Sequence, residues 1–201
     1  MRGNSVLLII GGGIAAYKSL ELIRRLKERG VAVRAILTAA GAQFITPLTV
    51  AALTGEKTFQ DLFSLTDEAE MGHIQLSRAA DLVVVAPATA DLMAKLAGGL
   101  ANDLASTALL ATDKRVLMAP AMNVRMWNHP ATRRNLKTLR NDGVLFVGPN
   151  DGDMACGEFG PGRMAEPMEI VAAIEAALAA PAEGALSGIK ALVTAGPTQE
   201  A

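Results

Sequence analysis

Short aliphatic runs alternate along the chain with longer segments in which apolar positions recur every three or four residues. Residues 6–10 (VLLII) form a continuous apolar run stopped by Gly11, Gly12 and Gly13, the pattern of a buried strand entering a tight loop. From residue 14 to residue 29 apolar side chains fall at helical spacing (Tyr17, Leu20, Ile23, Leu26), and Gly30 supplies a stop. Residues 31–37 (VAVRAIL) read as a second strand. A strand–loop–helix–strand unit of this kind calls for two parallel strands joined by a right-handed crossover. The alternation continues with strands at 81–86, 115–119 and 144–147. Helical segments are expected at 91–97, 102–112, 128–141 and 167–179, the last with Ile170, Val171, Ile174 and Leu178 on one face.

Repeated strand–helix pairs predict an α/β fold: a doubly wound, mostly parallel sheet sandwich of the Rossmann-like or flavodoxin-like kind. In such folds ligands bind at the carboxyl ends of the strands. The main domain is expected over 1–180. Residues 181–188 have linker composition, and 189–201 open a further strand and a Gly-Pro loop with no helix after them, as if a second domain began there.

Composition narrows the classes. Hydrophobic residues make up 51% of the 201, yet aromatics only 3%, so the core has to be aliphatic, as suits a covered parallel sheet. Nineteen basic and twenty acidic residues leave a net charge of -1 with no long run of either sign, which argues against a nucleic-acid or membrane partner. The apolar start is too short for a signal peptide or a membrane span. One cysteine cannot form an intrachain disulfide, and with two histidines it leaves no Cys/His-rich metal site, so no metal is expected and a cytoplasmic location is.

Several positions carry candidate chemistry. Gly11, Gly12 and Gly13 follow a strand and open a helix, where bare amides make a phosphate cradle, although a tight turn kept for packing reads the same way. The second strand ends in Leu37 and Thr38 with no acid to hold an adenosine ribose, which fits a mononucleotide phosphate better than a dinucleotide. Thr38 and Thr89 could add hydroxyl donors; Thr89 is also a natural helix cap, with Asp91 in the first turn. Asn123, after the strand at 115–119, reads either as an amide for a carboxylate or carbonyl or as the cap of the next helix. Local residues do not separate His73 from His129 as a working histidine. Cys156 lies in a segment, 151–163, that holds four glycines, the composition of a flap rather than of core; its thiol is either a proton donor or adventitious.

Four segments, GGIAAYK (12–18), GHIQL (72–76), PAMNVRMW (120–127) and ACGEFGPGRM (155–164), together resemble the homo-oligomeric flavin-containing cysteine decarboxylases. Within that family the pattern is similar to the decarboxylase half of the bacterial bifunctional coenzyme A biosynthesis proteins. Residues 193–200 (VTAGPTQE) resemble the opening of their second half, a phosphopantothenate–cysteine ligase, whose activity is then expected to be absent here.

The resemblance implies FMN as cofactor, held by Gly12, Gly13, Ile14, Thr38, Phe44, Thr89, Ala90, Asp91, Leu92 and Ala121. It implies His73 as the active-site histidine, Asn123 as the substrate asparagine, Cys156 as the proton donor and Arg78 as an assisting base-side cation, with Met154 and Ala155 beside the substrate. It also implies a small-molecule substrate, 4'-phosphopantothenoylcysteine, decarboxylated through a thioaldehyde and an enethiolate, and trimers assembled into a dodecamer. One departure is Gly11, where such proteins commonly carry Ser. Peptide-cysteine decarboxylases share this chemistry, and non-catalytic flavin-binding regulatory proteins share the fold; His73 and Cys156 argue for an enzyme.

Overall fold

Successive side chains of a strand point to opposite faces, so a continuous apolar run has to be covered on both sides. The computed structural model, which describes residues 1–62, 73–154 and 157–179, shows that arrangement around β1 (Ser5–Ile10). Val6, Leu8 and Ile10 enter one core, and Leu7 and Ile9 the other. β1 pairs in parallel with β2 (Ala32–Leu37) on one side and with β4 (Leu82–Ala88) on the other. β3 (Thr58–Phe59), β5 (Val116–Pro120) and β6 (Leu145–Phe146) complete a six-stranded parallel sheet of order 3-2-1-4-5-6. The fold is the expected doubly wound α/β sandwich.

The first core lies under α1 (Ala16–Glu28), α2 (Pro47–Thr54) and α8 (Pro167–Ala179). The second lies under α4 (Ala90–Ala97), α5 (Leu104–Ala111) and α7 (Pro130–Asn141). α3 (His73–Arg78) packs on α5. Among the described residues no helix is long and apolar enough to cross a membrane.

Caps explain most element boundaries. α5 starts at residue 104 because Asp103 and Ser106 form a reciprocal capping box. The helix expected within about 128–141 is α7, and a short helix that was not expected, α6 (Val124–Asn128), precedes it across His129. Pro130 disfavours helical geometry at the residue before it, and His129 is extended, with Nδ1 accepting from the Ala131 amide at 3.2 Å. In α1 the buried stripe runs through Ala16, Ser19, Leu22, Ile23 and Leu26, whereas Tyr17, expected on that face, is 58% exposed.

Two further features, in the middle and at the end of the chain, were not expected in this form. α2 and β3 fall between the second and third expected strands, 31–37 and 81–86, where no element was anticipated. The glycine-rich segment read as a flap is an antiparallel ribbon, β7 (Asn150–Asp153) and β8 (Phe159–Arg163), with Gly152, Gly160 and Gly162 buried.

The two-sided burial of β1 has a measurable consequence. Leu8→Ala should lower the free energy of unfolding by about 2–5 kcal/mol in urea titration, whereas Leu145→Ala, on the edge strand β6 and 36% exposed, should lower it by less than about 1 kcal/mol. Equal losses would mean that β1 is not the centre of the core.

Candidate active site

Two clefts open at the carboxyl edge of the sheet, and Gly13 lines both. The larger, about 570 Å³, lies among the loops after β1, β2 and β4; Gly12, Thr38, Phe44, Thr89, Asp91 and Leu92 line it. The smaller, about 480 Å³, lies between the start of α1, the loop after β5 and the β7–β8 ribbon. Ile14, Lys18, Ala121, Asn123, Met154 and Arg163 are among its lining residues. Of the ten positions singled out for a flavin, all but Ala90 line one cleft or the other.

The backbone of the larger cleft offers donors to an anion. Gly11 donates its amide to the Pro87 carbonyl at 3.2 Å, while the amides of Gly12, Gly13 and Ile14 make no hydrogen bond among the described residues. Gly13 has φ +139, which favours glycine, and nothing stands where its side chain would be. These amides and the start of α1 form an open donor set. Thr89 Oγ1 accepts from the Leu92 amide at 3.2 Å as the cap of α4, and its own O–H remains available to donate. Thr38 differs: its hydroxyl donates to Ile10 O at 3.0 Å and accepts from the Gly41 amide at 3.0 Å, so it is a loop fastener rather than a free donor. Gly11 leaves no room for a larger residue, since a Cβ there would lie 2.5 Å from Pro87 O.

The smaller cleft brings Asn123 and Met154 together with the β1 loop. Asn123 is the cap of α6, its Oδ1 accepting from the Met126 amide at 2.8 Å. The cap occupies the oxygen and leaves the NH2 free to donate, so the capping role does not use up this side chain. The ribbon is docked against the Asn123 loop: Met122 N donates to Gly162 O at 3.0 Å, and a Cβ at Gly162 would overlap the Met122 carbonyl. Lys18, buried, donates to Met164 O at 3.2 Å and pairs with Glu166 at 2.7 Å, tying the end of the ribbon to α1. Lys18 and Arg163 went unassigned in the sequence because nothing in helical spacing marks a lysine that turns inward.

The remaining candidates fall elsewhere. His73 is the first residue of α3, and its side chain, like Ala155 and Cys156, lies outside the described residues. Arg78 is exposed in the last turn of α3 and lines neither cleft.

Lys95 and Asp103 also line the larger cleft, with Lys95 Nζ 2.7 Å from Asp103 and 3.1 Å from Asp91. Burial raises the Asp103 pKa, but hydrogen bonds from Lys95 and Ser106 and the Lys95 charge outweigh it, so the carboxyl is held below its ordinary value. The Asp103 hydrogen bond raises the Lys95 pKa, against a smaller opposing effect of burial.

Comparison with known proteins adds the family. Residues 1–179 match the family described as Flavoprotein. The coenzyme A biosynthesis bifunctional protein CoaBC of Vibrio cholerae is 51% identical over all 201 residues, which cover 50% of that protein; the chain spans about half the length of the curated relatives it matches. Among solved structures, a mutant PPC decarboxylase complexed with pantothenoylaminoethenethiol superposes with TM-score 0.76 at 33% identity, over 87% of this chain and 98% of that one. The FMN-dependent cysteine decarboxylase SpaF gives 0.75 at 30% identity, over 88% and 95%. With the expected fold and a family match over residues 1–179, the chain belongs to the flavoprotein family.

Two outcomes test this geometry. Gly162→Ala should cost about 2 kcal/mol or more and free the Met122 amide for hydrogen exchange, because φ +150 and the carbonyl contact both exclude a side chain. Protection of that amide unchanged in the variant would show the ribbon is not held there. For Asp103, a lowered folded-state pKa means stabilisation that is present above the unfolded value, about 3.9, and lost as pH falls through the folded one. Asp103→Asn, which keeps a good cap, should therefore be less stable than wild type by about 1 kcal/mol at pH 7, with the gap closing below about pH 4 in urea titrations.

Proposed function

We propose that this chain carries out the FMN-dependent decarboxylation of 4'-phosphopantothenoylcysteine to 4'-phosphopantetheine, as the decarboxylase half of a bifunctional coenzyme A biosynthesis protein. The observation that carries the reading is the pair of clefts meeting at Gly13, one with an open donor set for a phosphate and the other with a free asparagine amide. The names of the matched relatives, a bifunctional coenzyme A protein and a PPC decarboxylase, point the same way.

The FMN phosphate would take the amides of Gly12, Gly13 and Ile14 and the Thr89 hydroxyl, with Phe44 and Leu92 as apolar walls and Ala121 in the smaller cleft. FMN supplies two-electron redox chemistry that makes loss of CO2 feasible from an amide of cysteine, which otherwise has no electron sink. The chain's own residues bind and move protons. Asn123 Nδ2 donates to the substrate carboxylate, and its cap to the Met126 amide holds it in place. The carbon that loses CO2 needs one proton, and Cys156, assigned from the sequence resemblance, gives it from its thiol. His73 acts as base or orienting partner, with Arg78 in a supporting place, both on the same ground. Met154 and Ala155 lie beside the substrate.

Three exposed apolar side chains, Ile14, Tyr17 and Phe44, line the clefts that meet at Gly13. They support a homo-oligomer of trimers, assembled to a dodecamer as in the family, with neighbouring copies covering them. Residues 1–180 form the flavin-binding domain of this reading, 181–188 the linker and 189–201 the start of the ligase half. The cytoplasm is its setting, where one unpaired thiol stays reduced.

Purified chain should be yellow and release CO2 from 4'-phosphopantothenoylcysteine. Cys156→Ser should still release CO2 but accumulate the unprotonated, oxidised enethiol product, whereas Asn123→Asp should lower kcat/KM by about 100-fold or more by placing a negative charge against the carboxylate. Colourless protein that FMN cannot reconstitute sinks the reading. Turnover of C-terminal cysteine peptides instead identifies a peptide-cysteine decarboxylase, and flavin binding without turnover a regulatory protein.

A further inference from the structure

The charges lining the larger cleft do not favour an anion. Its ionisable lining residues, among those described, are Asp91, Lys95 and Asp103: two acids and one base. The rest of the donor set, amides and a hydroxyl, carries no full charge. Lys95 is 19% exposed and bridges both acids, at 2.7 Å to Asp103 Oδ2 and 3.1 Å to Asp91 Oδ2. Both oxygens of Asp103 are engaged, because the second accepts from the Ser106 amide at 2.7 Å and hydroxyl at 2.8 Å. Asp91, in contrast, is 69% exposed on the first turn of α4, beside Thr89, and among the described residues it pairs with Lys95 alone.

We propose that Lys95 is a positioning residue for the flavin phosphate. It cancels one of the two carboxylate charges that would otherwise face the phosphate, and it ties α4 to the start of α5 so that the Thr89 turn keeps its place opposite the glycine loop. The proposal rests on the FMN reading above. Its distinguishing feature is that the charge effect acts on the phosphate alone, whereas a strut that merely held the cleft open would serve any flavin equally. Riboflavin has the same ring and ribityl chain without the phosphate, so the ratio of the two affinities isolates the effect.

Fluorescence-quenching titrations of the flavin-stripped chain with FMN and with riboflavin read that ratio. In Lys95→Met the Kd for FMN should rise about tenfold while that for riboflavin changes by less than about threefold, and Lys95→Arg should keep the wild-type ratio. Asp91→Asn, which leaves the Lys95–Asp103 bond intact, should shift the ratio the other way, toward FMN. This second variant decides the matter even if Lys95→Met does not fold. An equal loss of both flavins in Lys95→Met, or a preference for FMN that is unchanged in Lys95→Met or falls in Asp91→Asn, overturns the role of Lys95. Wild-type chain that binds neither flavin overturns the cofactor reading itself, a result the variants cannot mimic.

Discussion

Gly11 donates its amide to the carbonyl of Pro87 at 3.2 Å, and a Cβ on Gly11 would lie 2.5 Å from that same oxygen. The neighbouring approaches are as close: a Cβ on Gly12 would meet Ala40 Cβ at 2.5 Å, and one on Gly41 would meet Ile10 O at 2.7 Å. The loops leaving β1, β2 and β4 thus cross in backbone contact, and a side chain at these positions would require the neighbouring backbone to shift. Both clefts follow from that crossing. Because the β1 loop lies close against its neighbours and carries no side chain at Gly13, its next amides turn outward, and one short stretch of backbone borders two cavities.

Around this crossing, hydrogen bonds that hold the fold also ration what is left for a ligand. Thr89, Thr38 and Asn123 are each used in a cap or a loop, and each differs in what remains. Thr38 has given its proton to Ile10 O, so its contribution is to fix the β2 loop. Thr89 and Asn123 spend only an acceptor, and keep a donor whose direction the cap has already set. Such groups need little reorganisation when a ligand arrives, which is the physical basis of preorganised binding. The ribbon obeys the same logic, with Gly162 pressed on Met122 and Lys18 holding Met164 O, so the wall opposite Asn123 is anchored at one strand.

Much of the architecture was legible in local pattern. Residues 6–10 and 81–86 read as buried strands because their aliphatic runs are short and bounded by polar or glycine positions. α8 matched its expected limits, 167–179, because Pro167 starts it and Ile170, Val171 and Ile174 repeat on one face. The failures have equally local causes. β3 has two residues, too few to show a period. α2 is apolar on most of its surface, so no stripe stands out, although Thr46 as cap, Pro47 after it and Gly55 at the end marked it. β7 and β8 contain glycines where alternation would show, and only their pairing with each other makes them strands.

The sequence by itself determined the fold class, the glycine loop, the absence of an acid at the end of β2 and, through four motifs, the family and the residues to examine. These are properties of near neighbours in the chain: a strand period, a cap, a glycine where backbone must pass close. Tertiary structure alone decided that Asn123 and Met154 share a cavity with Ile14, that Lys18 reaches across to Glu166, and that Lys95 bridges Asp91 and Asp103 at the larger cleft. Those pairings depend on where loops from separate strands meet, and no local period encodes the distance between residues 14 and 123 or 18 and 166. The closest of them, Asp91 and Lys95, was within reach of helical spacing; its partner Asp103 was not, because a turn and a second helix start had to bring it back.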